Sequence, residues 1–371
     1  MNLPFERCRL IVVGFRRWKA YSLYPLLRGL FREVAYAPDA AAAERLGLTE
    51  NDCVAAWGIR SHTESLQRLS AQYGICFLRI EDGFIRSVGL GSDLIAPVSL
   101  VLDSRGIYFD PSQPSDLTHL LNHGVFGEAE LQRAEALRRF IVETRLTKYN
   151  IDAVCPPVWA DKTGGRKTVL VPGQVETDAS IRLGGHGIQT NLELLRAARA
   201  AEPDAFIVYK PHPDVLAKNR KGGTGRAAQY ADVVETESSV VSLLEVCDSV
   251  HTITSLTGFD ALLRQKSVTV YGRPFYAGWG LTDDRAPFSD GQRHCMRTMA
   301  ELVAAALLRY PVYFDWENRR PADCETVLQQ LVRQRDVLHR TGAAGRLKHG
   351  FFRRQGRKIS VLARAFATRW K

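Results

Sequence analysis

Short apolar runs rich in β-branched residues alternate along the chain with longer stretches in which apolar residues recur every three or four positions. This alternation predicts parallel strands joined by helices. In the first half the predicted strands are Arg9–Phe15, Cys53–Gly58 and Ile75–Ile80, and the predicted helices lie around Tyr21–Phe31, Ser61–Tyr73 and Glu128–Leu146. Leu100–Asp103 and Ile107–Asp110, on either side of Ser-Arg-Gly, predict an appended hairpin.

The pattern restarts after Asn150–Lys167, a segment with Pro-Pro and Gly-Gly pairs that continues neither a helix nor a strand. In the second half the predicted strands are Thr168–Val171, Phe206–Tyr209, Val250–Ile253 and Val268–Tyr271, and the predicted helices are Asn191–Ala201, Ser239–Cys247, Gly258–Gln265, Thr298–Arg309 and Cys324–Leu338. We therefore expect two Rossmann-like α/β domains, residues 1–150 and 151–345, that face each other across a cleft and bind ligands at the carboxyl ends of their strands.

The charge of the chain is concentrated in a tail, residues 346–371. Fifty Lys and Arg against 40 Asp and Glu give a formal net charge of +10, but nine of the basic residues and none of the acidic ones follow residue 340. The body is thus nearly neutral, which argues against a nucleic-acid partner because such proteins spread basic residues over a folded face. If the tail is helical, it has an apolar stripe that could rest on an anionic membrane, formed by Ile359, Leu362, Phe366 and Trp370. The alternatives are a helix docked on the body and a solvated tail.

Seven scattered cysteines without metal-ligand spacing predict neither disulfides nor a metal site. No apolar run approaches the length of a membrane span. The sequence therefore predicts a cytoplasmic protein, soluble or peripheral to the membrane.

Glu81-Asp82-Gly83 follows a predicted strand directly, so both carboxylates are expected at its carboxyl end. Adjacent carboxylates repel, so one can keep its proton and act as acid or base while the other stays ionised. A plain strand-ending turn is the alternative, since Asp-Gly is common in turns. Arg86, in the segment that follows, is a candidate substrate-binding residue.

Three further segments lie at predicted strand ends in the second half. Lys210-Pro211-His212-Pro213 holds a histidine between prolines beside a lysine, which can bind a phosphate; a solvent-facing histidine is the alternative. Ser255, Thr257 and Gly258 open a predicted helix, where hydroxyls both cap the helix and can contact an anion. Gln174 and Glu176 follow a strand and are weaker candidates for the cleft. The loop Tyr271–Gly280, rich in glycine and aromatic residues, either stacks on a base or sugar or buttresses the domain joint.

Taken together, these segments resemble the KpsC-like family of bacterial capsule polysaccharide biosynthesis proteins, which are retaining β-Kdo glycosyltransferases (Kdo is an eight-carbon keto-acid sugar). The similarity runs through EDGFIRSVGLGSDL, VLVPGQVETDASIRLG, FIVYKPHPDV and TSLTGFDALLRQKSVTVYGRPFYAGWGLT, over roughly residues 75 to 345. It is greatest to the C-terminal of the two transferase modules in this family, and a single module is expected here.

The resemblance implies a GT-B-like fold and a CMP-β-Kdo donor without a further cofactor. It also implies a Kdo-phospholipid acceptor at the cytoplasmic face of the inner membrane, and capsule assembly or export proteins as partners. Carried over by residue, Asp82 matches the essential acidic residue at the anomeric carbon, His212 the histidine that holds the CMP phosphate, and Ser255 and Thr257 the hydroxyl motif. Glu81 and Glu176 are the further catalytic candidates, and Lys210, Pro213, Gly258, Gln174 and Arg86 the further substrate-binding candidates.

Three other functions remain open from the sequence. Another CMP-sugar transferase or a sugar-nucleotide epimerase would use the same fold. A non-catalytic protein that binds a membrane through its tail would not need Asp82 or His212.

Overall fold

The computed structural model describes residues 5–59, 62–150, 155–216, 225–289, 292–341 and 359–365, with the side chains of Ser92, Pro213 and Leu216 excepted. Its contacts divide the chain into two compact units. The first comprises Met1–Ile107, Lys148–Ile151 and Leu307–Lys371, and the second comprises Tyr108–Thr147 and Asp152–Ala306.

Thirteen strands lie within the described residues, numbered here in chain order. They are β1 Arg9–Val13, β2 Glu33–Ala37, β3 Asp52–Trp57, β4 Cys76–Asp82, β5 Ser99–Asp103, β6 Thr168–Pro172, β7 Phe206–Lys210, β8 Val233–Val234, β9 Ser249–Thr252, β10 Ser267–Val270, β11 Asp283–Asp284, β12 Pro311–Asp315 and β13 Arg320–Ala322.

Twelve α-helices lie in the same part of the chain. They are α1 Arg17–Leu30, α2 Ala40–Glu44, α3 Thr63–Tyr73, α4 Asp116–His123, α5 Glu128–Glu143, α6 Ala179–Gly184, α7 Asn191–Ala201, α8 Pro213–Leu216, α9 Val240–Val246, α10 Leu256–Leu263, α11 Met299–Val303 and α12 Cys324–Arg340. Single 3₁₀ turns occur at Gly91–Asp93, Ala160–Lys162 and Ala227–Gln229, a π-helical turn follows α11 at Ala304–Arg309, and residues 359–365 are helical.

The first unit is built on a seven-stranded sheet in the order β13-β12-β5-β4-β3-β1-β2. Strands β2, β1, β3 and β4 are parallel, whereas β5, β12 and β13 add antiparallel pairs. Side chains alternate between the two faces of β1: Leu10 and Val12 pack with α1, and Ile11 and Val13 pack with α3. Both faces are therefore covered by helices, which explains why the strand is apolar from Leu10 to Val13.

The second unit is built on a six-stranded parallel sheet in the order β11-β10-β9-β6-β7-β8. Its core includes Val169 and Val171 from β6, Ile207 from β7, and Leu194 and Leu195 from α7. Because all strands run in one direction, the residues that follow β6, β7, β9 and β10 emerge at one edge of this sheet. The α/β class and the two Rossmann-like sheets predicted from the sequence are confirmed, one sheet in each unit.

The predicted hairpin at residues 100–110 is wrong in its second strand. Ser99–Asp103 is a strand, but it pairs with β4 and β12, and residues 107–110 form none. The cause lies at Asp103, whose Oδ1 accepts hydrogen bonds from the backbone N–H groups of Arg105 (3.0 Å) and Gly106 (2.8 Å). This side-chain turn directs the chain away from the sheet instead of back along β5.

The division into units differs from the predicted boundaries at two places. Residues 108–147, with α4 and α5, belong to the second unit, and the chain from Leu307 onward returns to the first. There β12 pairs with β5 through Pro311↔Val101, Val312↔Leu100 and Tyr313↔Ser99. A strand whose partner lies some two hundred residues earlier leaves no local signal in the sequence.

The tail lies partly outside the described residues, including Phe366 and Trp370. Within helix 359–365, Ile359 is 65% exposed, Leu362 is 37% exposed and Ala365 is fully buried. Among the described residues no helix combines the length and apolarity needed to cross a bilayer.

Candidate active site

Glu81 and Asp82 are the last two residues of β4, where this strand ends between β3 and β5. Trp57 ends β3 beside Ile80, and Leu100 of β5 is the register partner of Asp82. The Asp82 backbone N–H donates to Glu81 Oε1 at 3.1 Å. Both carboxyl groups thus lie at the carboxyl end of β4, as the sequence predicted.

Arg86 forms an ion pair with Asp82. Its Nε donates to Asp82 Oδ2 at 2.7 Å and its Nη1 donates to Ser87 Oγ at 2.9 Å. The Arg86 side chain is 5% exposed and that of Asp82 is 20% exposed. The other carboxylate oxygen, Asp82 Oδ1, is covered but has no hydrogen-bond partner among the described residues.

Gly91 makes room for this ion pair. A Cβ atom at residue 91 would lie 2.8 Å from the guanidinium carbon of Arg86, closer than real Cβ contacts allow. Gly91 therefore accommodates the Arg86 side chain. Arg86 is an ion-pair partner of Asp82, and its predicted binding of substrate stays a prediction.

The pKa values of the two carboxyl groups are shifted in opposite directions. Burial, followed by repulsion from Asp82, raises the pKa of Glu81 to about 7. Burial also disfavours the ionised form of Asp82, but attraction from Arg86, Lys148 and Lys19 outweighs it and lowers the pKa of Asp82. At neutral pH Asp82 is a carboxylate, while Glu81 is close to half protonated.

Lys19 and Lys148, which the sequence analysis missed, approach this pair from two other segments. The Lys19 ammonium lies 3.1 Å from the centroid of the Trp57 ring. The Lys148 carbonyl accepts the backbone N–H of Arg86 at 3.1 Å, which ties residue 148 to the segment after β4. A lysine in the first turn of α1 and one 66 residues beyond Asp82 carry no common sequence signal.

In the second unit His212 caps the short helix α8. The Asp214 backbone N–H donates to His212 Nδ1 at 3.1 Å, and the Val215 N–H donates to the His212 carbonyl at 2.9 Å. A neutral ring that accepts at Nδ1 carries its proton at Nε2, which makes Nε2 a hydrogen-bond donor. The Pro213 side chain, also predicted to bind substrate, lies outside the described part.

Lys210, the last residue of β7, is buried at 7% exposure. Its neighbour Glu235 accepts from the Trp159 indole (2.7 Å) and from the backbone N–H groups of Glu237 and Ser238 (2.7 and 2.9 Å). These donors, with attraction from Lys210, outweigh burial and lower the pKa of Glu235. The predicted Lys210 thus lies in a polar, charged surrounding at the strand end.

Gln174 and Glu176 support the local fold. The Gln174 side chain donates to Thr254 Oγ1 (2.9 Å) and accepts the Thr254 backbone N–H (3.0 Å), which joins the segments after β6 and β9. Glu176 Oε1 accepts the backbone N–H of Asn191 (2.9 Å), the first residue of α7. A carboxylate at the positive end of a helix is a stabilising contact, and a catalytic role of Glu176 stays a prediction.

Ser255, Thr257 and Gly258 open α10 as predicted. Ser255 Oγ accepts the Thr257 backbone N–H at 3.2 Å and caps the helix. The Ser255 carbonyl accepts the buried Tyr276 hydroxyl at 2.5 Å, and a Cβ at Gly258 would overlap that hydroxyl. The loop after β10 therefore packs under the start of α10 and supports this helix within the second unit.

The first unit thus carries a carboxylate pair with nearby cations at the end of β4. The second carries Lys210 and His212 after β7 and the hydroxyl groups of Ser255 and Thr257 after β9, at one edge of its sheet. The described residues contain no group of three or more side chains suited to hold a metal ion. Two Rossmann-like units with such clusters define a protein of the GT-B-like α/β class.

Comparisons with known proteins agree with this class and identify the family. Residues 52–313 match the family model described as capsule polysaccharide biosynthesis protein, and the chain belongs to this family. It is 40% identical over 365 residues to the capsule polysaccharide modification protein LipA of Neisseria meningitidis, covering 97% of this chain and 50% of that protein. It is also 40% identical over 293 residues to the lipopolysaccharide-processing protein LpsZ of Rhizobium meliloti, covering 78% of this chain and 66% of that protein. The chain spans about half the length of LipA.

Two solved structures of Thermosulfurimonas dismutans KpsC are similar in fold and sequence. The β-Kdo 2,4 transferase matches with a TM-score of 0.75 and 33% identity, covering 88% of this chain and 98% of that one. The β-Kdo 2,7 transferase matches with a TM-score of 0.71 and 34% identity, covering 88% and 99%. The predicted family resemblance and GT-B-like fold class are confirmed.

Proposed function

We propose that this chain is a retaining β-Kdo glycosyltransferase of capsule biosynthesis that uses CMP-β-Kdo to extend a Kdo chain on a phospholipid. The observation that carries the proposal is the carboxylate pair at the end of β4, where Arg86 holds Asp82 Oδ2 at 2.7 Å and Asp82 Oδ1 accepts no hydrogen bond from the described residues. The similarity to the two KpsC transferases supports the same reaction class.

In the proposed reaction Asp82 Oδ1 attacks the anomeric carbon of Kdo. A bond forms between this oxygen and the anomeric carbon, while the bond from that carbon to the phosphate oxygen breaks and its electron pair leaves with CMP. An acceptor hydroxyl then attacks the same carbon and displaces the Asp82 carboxylate. Two inversions give overall retention. Glu81, with a pKa of about 7, takes the proton of the acceptor hydroxyl.

Arg86 contributes by keeping Asp82 ionised and by fixing Oδ2, so that Oδ1 is the nucleophilic atom. In the second unit, His212 Nε2–H, Lys210 and the start of α10 at Ser255 and Thr257 are proposed to hold the CMP phosphate. Positive charge and N–H donors there stabilise the departing phosphate oxygen.

The test is transfer by the purified full chain from CMP-Kdo to a synthetic Kdo-lipid, with the anomeric configuration of the product read by NMR. Asp82→Asn keeps an oxygen for Arg86 and is expected to lose transfer by a factor of at least about 10³. Asp161→Asn, at an exposed carboxylate, is the control and should be as active as the wild type. Undiminished transfer by Asp82→Asn, or a product of inverted configuration, would contradict the mechanism.

The same assay separates the alternatives. CMP-sialic acid and UDP-sugars replace CMP-Kdo in parallel reactions, and nucleotide release is measured for each. Release from a UDP-sugar alone would favour an epimerase, and release from CMP-sialic acid alone another CMP-sugar transferase.

We also propose that the basic tail, residues 346–371, attaches the protein to the anionic cytoplasmic face of the inner membrane, where the lipid acceptor and capsule assembly or export proteins would be met. Nine positive charges without an acidic residue after position 340 support this proposal.

A further inference from the structure

Arg273, in the second unit, is a positively charged side chain that has no acidic partner among the described residues. It lies three residues beyond the end of β10, and its backbone is fixed because Arg273 N–H donates to the Gly184 carbonyl at 2.7 Å. The adjoining Gly272 and Gly185 form a β-bridge. The loop therefore holds residue 273 in one place at the strand end.

The guanidinium of Arg273 is poorly satisfied within the described residues. Its one hydrogen bond there runs from Nη2 to His186 Nδ1 at 3.4 Å, and the Nε–H group is covered without a partner. A buried N–H of a charged group that finds no acceptor is costly and indicates a missing partner such as an ion or a ligand oxygen. Arg273 itself is only half-buried, so a small solute can reach the side chain.

A second guanidinium strengthens the positive potential. Burial lowers the pKa of the nearby Arg293 to about 9, and repulsion from Arg273 contributes in the same direction. The Arg293 guanidinium is already hydrogen-bonded within the protein, because its Nη1 donates to the carbonyls of Pro274 (2.5 Å) and Ala277. Arg273 is therefore the member of this pair that remains able to bind a ligand anion.

The position of Arg273 connects it to the hydroxyl segment after β9. A Cβ at Gly272 would lie 2.9 Å from the Thr254 methyl group and 2.8 Å from the Ile253 carbonyl, so the two strand ends are in direct contact. Thr254 immediately precedes Ser255, which caps α10. An anion held at the start of α10 would thus lie at the same sheet edge as Arg273.

We infer that Arg273, next to His186, forms an oxyanion-binding subsite for the sugar-nucleotide donor. This inference rests on the proposed function and adds a residue to it. The bound group is an oxygen of either the nucleotide phosphate or the sugar carboxylate, since arginine donates to both through the same planar set of N–H groups.

The experiment measures binding of CMP, free Kdo and cytidine to the full chain by isothermal titration calorimetry. Arg273→Met removes the charge, and Arg273→Lys keeps it but removes Nε–H and the planar donor set. Arg285→Met is the matched control, because Arg285 is exposed and already paired with Asp283 at 2.6 Å. Arg273→Met is expected to weaken the binding of its anionic ligand by roughly tenfold to a hundredfold, with Arg273→Lys intermediate and Arg285→Met unchanged.

The ligands separate the possible sources of the anion. Weaker binding of CMP, with cytidine unaffected, assigns Arg273 to the phosphate, and weaker binding of Kdo alone assigns it to the sugar carboxylate. A smaller salt dependence in Arg273→Met would accompany either result, which a purely structural residue would not produce. Circular dichroism shows whether Arg273→Met is folded. If it is not, the binding comparison is made with Arg273→Lys.

Two results would overturn the inference in distinguishable ways. If the wild type binds CMP or Kdo and both Arg273 variants bind them equally well, the subsite is wrong and the proposed function stands. If the wild type binds neither CMP nor Kdo, the donor assignment fails and the subsite fails with it.

Discussion

Arg86 donates to one oxygen of Asp82, and the other oxygen accepts no hydrogen bond from the described residues. Arg86→Met would remove the largest of the attractions that oppose burial, so the pKa of Asp82 should rise. Because the ionised form is the proposed nucleophile, Arg86→Met should lose additional transfer at pH values below the step that Glu81 sets near pH 7. Kdo transfer measured between pH 4 and pH 9 tests this, with Arg86→Lys as the variant that retains a positive charge. If the acid side of the Arg86→Met profile has the same shape as that of the wild type, Arg86 does not act through Asp82.

Glu81 should make the folded protein less stable at alkaline pH. Its pKa is raised from 4.5 to about 7 in the fold, so the folded state binds the proton more tightly than the unfolded chain. This contribution is complete below pH 4.5 and is lost as the pH rises through about 7. Glu81→Gln should therefore match the wild type at pH 4.5 and exceed it by about 2–3 kcal/mol at pH 9. Urea unfolding at both pH values measures the difference, and equal stability at pH 9 would argue against the shift.

His212 provides a pair of variants that separate its two nitrogen atoms. His212→Asn can still accept the Asp214 backbone N–H and cap α8, but it lacks a donor at the Nε2 position. It should fold normally and bind CMP about tenfold more weakly. His212→Gln places an amide nearer to Nε2 and loses the cap, so part of the affinity should return at a lower melting temperature. Unchanged CMP binding in His212→Asn would remove His212 from the phosphate site.

Gly258 and Tyr276 should be coupled. In Gly258→Ala the new methyl group meets the Tyr276 hydroxyl, which is buried and donates to the Ser255 carbonyl. Overpacking of this kind costs about 1–3 kcal/mol. Tyr276→Phe in the same chain removes the overlapping oxygen and should recover part of this loss, although the ring carbon at 2.7 Å remains close. A double-mutant cycle of unfolding free energies gives the coupling, and strict additivity would contradict the contact.

The proposed membrane binding of the tail can be tested by removing its charges while keeping the helix at residues 359–365, in which Ala365 is buried. Replacing Arg353, Arg354, Arg357 and Lys358 by Gln keeps the chain full length and should greatly reduce sedimentation with anionic phosphatidylserine vesicles. Binding of the wild type should also fall at high salt. Neutral phosphatidylcholine vesicles are the control, and equal binding of both proteins to anionic vesicles would exclude the membrane role of these charges.

The sequence predicted the elements whose signal is local and missed those defined by distant partners. Strands such as Arg9–Val13 and Phe206–Lys210 are short apolar runs beside amphipathic helices, and they were found within one or two residues. Strand β12 was missed because its pairing with β5 is set by tertiary contacts. Strand β2 was missed for the same reason, because its pairing with β1 is also set by tertiary contacts. Its sequence, EVAYA, begins with an exposed glutamate.

The candidate site divides in the same way. The carboxylate pair, the histidine and the hydroxyl segment were predicted because each follows a strand in a short motif. Two cations that lower the pKa of Asp82, Lys19 and Lys148, were not predicted, because they lie in segments far away in the chain. The ion pair of Arg86 with Asp82 was not predicted, because it depends on the path of the chain through Gly91.

The interleaved order of the two units bears on how the chain matures during synthesis. All six strands of the second sheet leave the ribosome before β12 and β13, the strands that complete the first. The nascent protein therefore carries an unpaired β5 edge until β12, which ends at residue 315, has emerged. An unpaired edge invites pairing with other chains. Truncations that stop before β12 should for this reason accumulate as aggregates, and the first unit becomes complete only when nearly the whole chain has been translated.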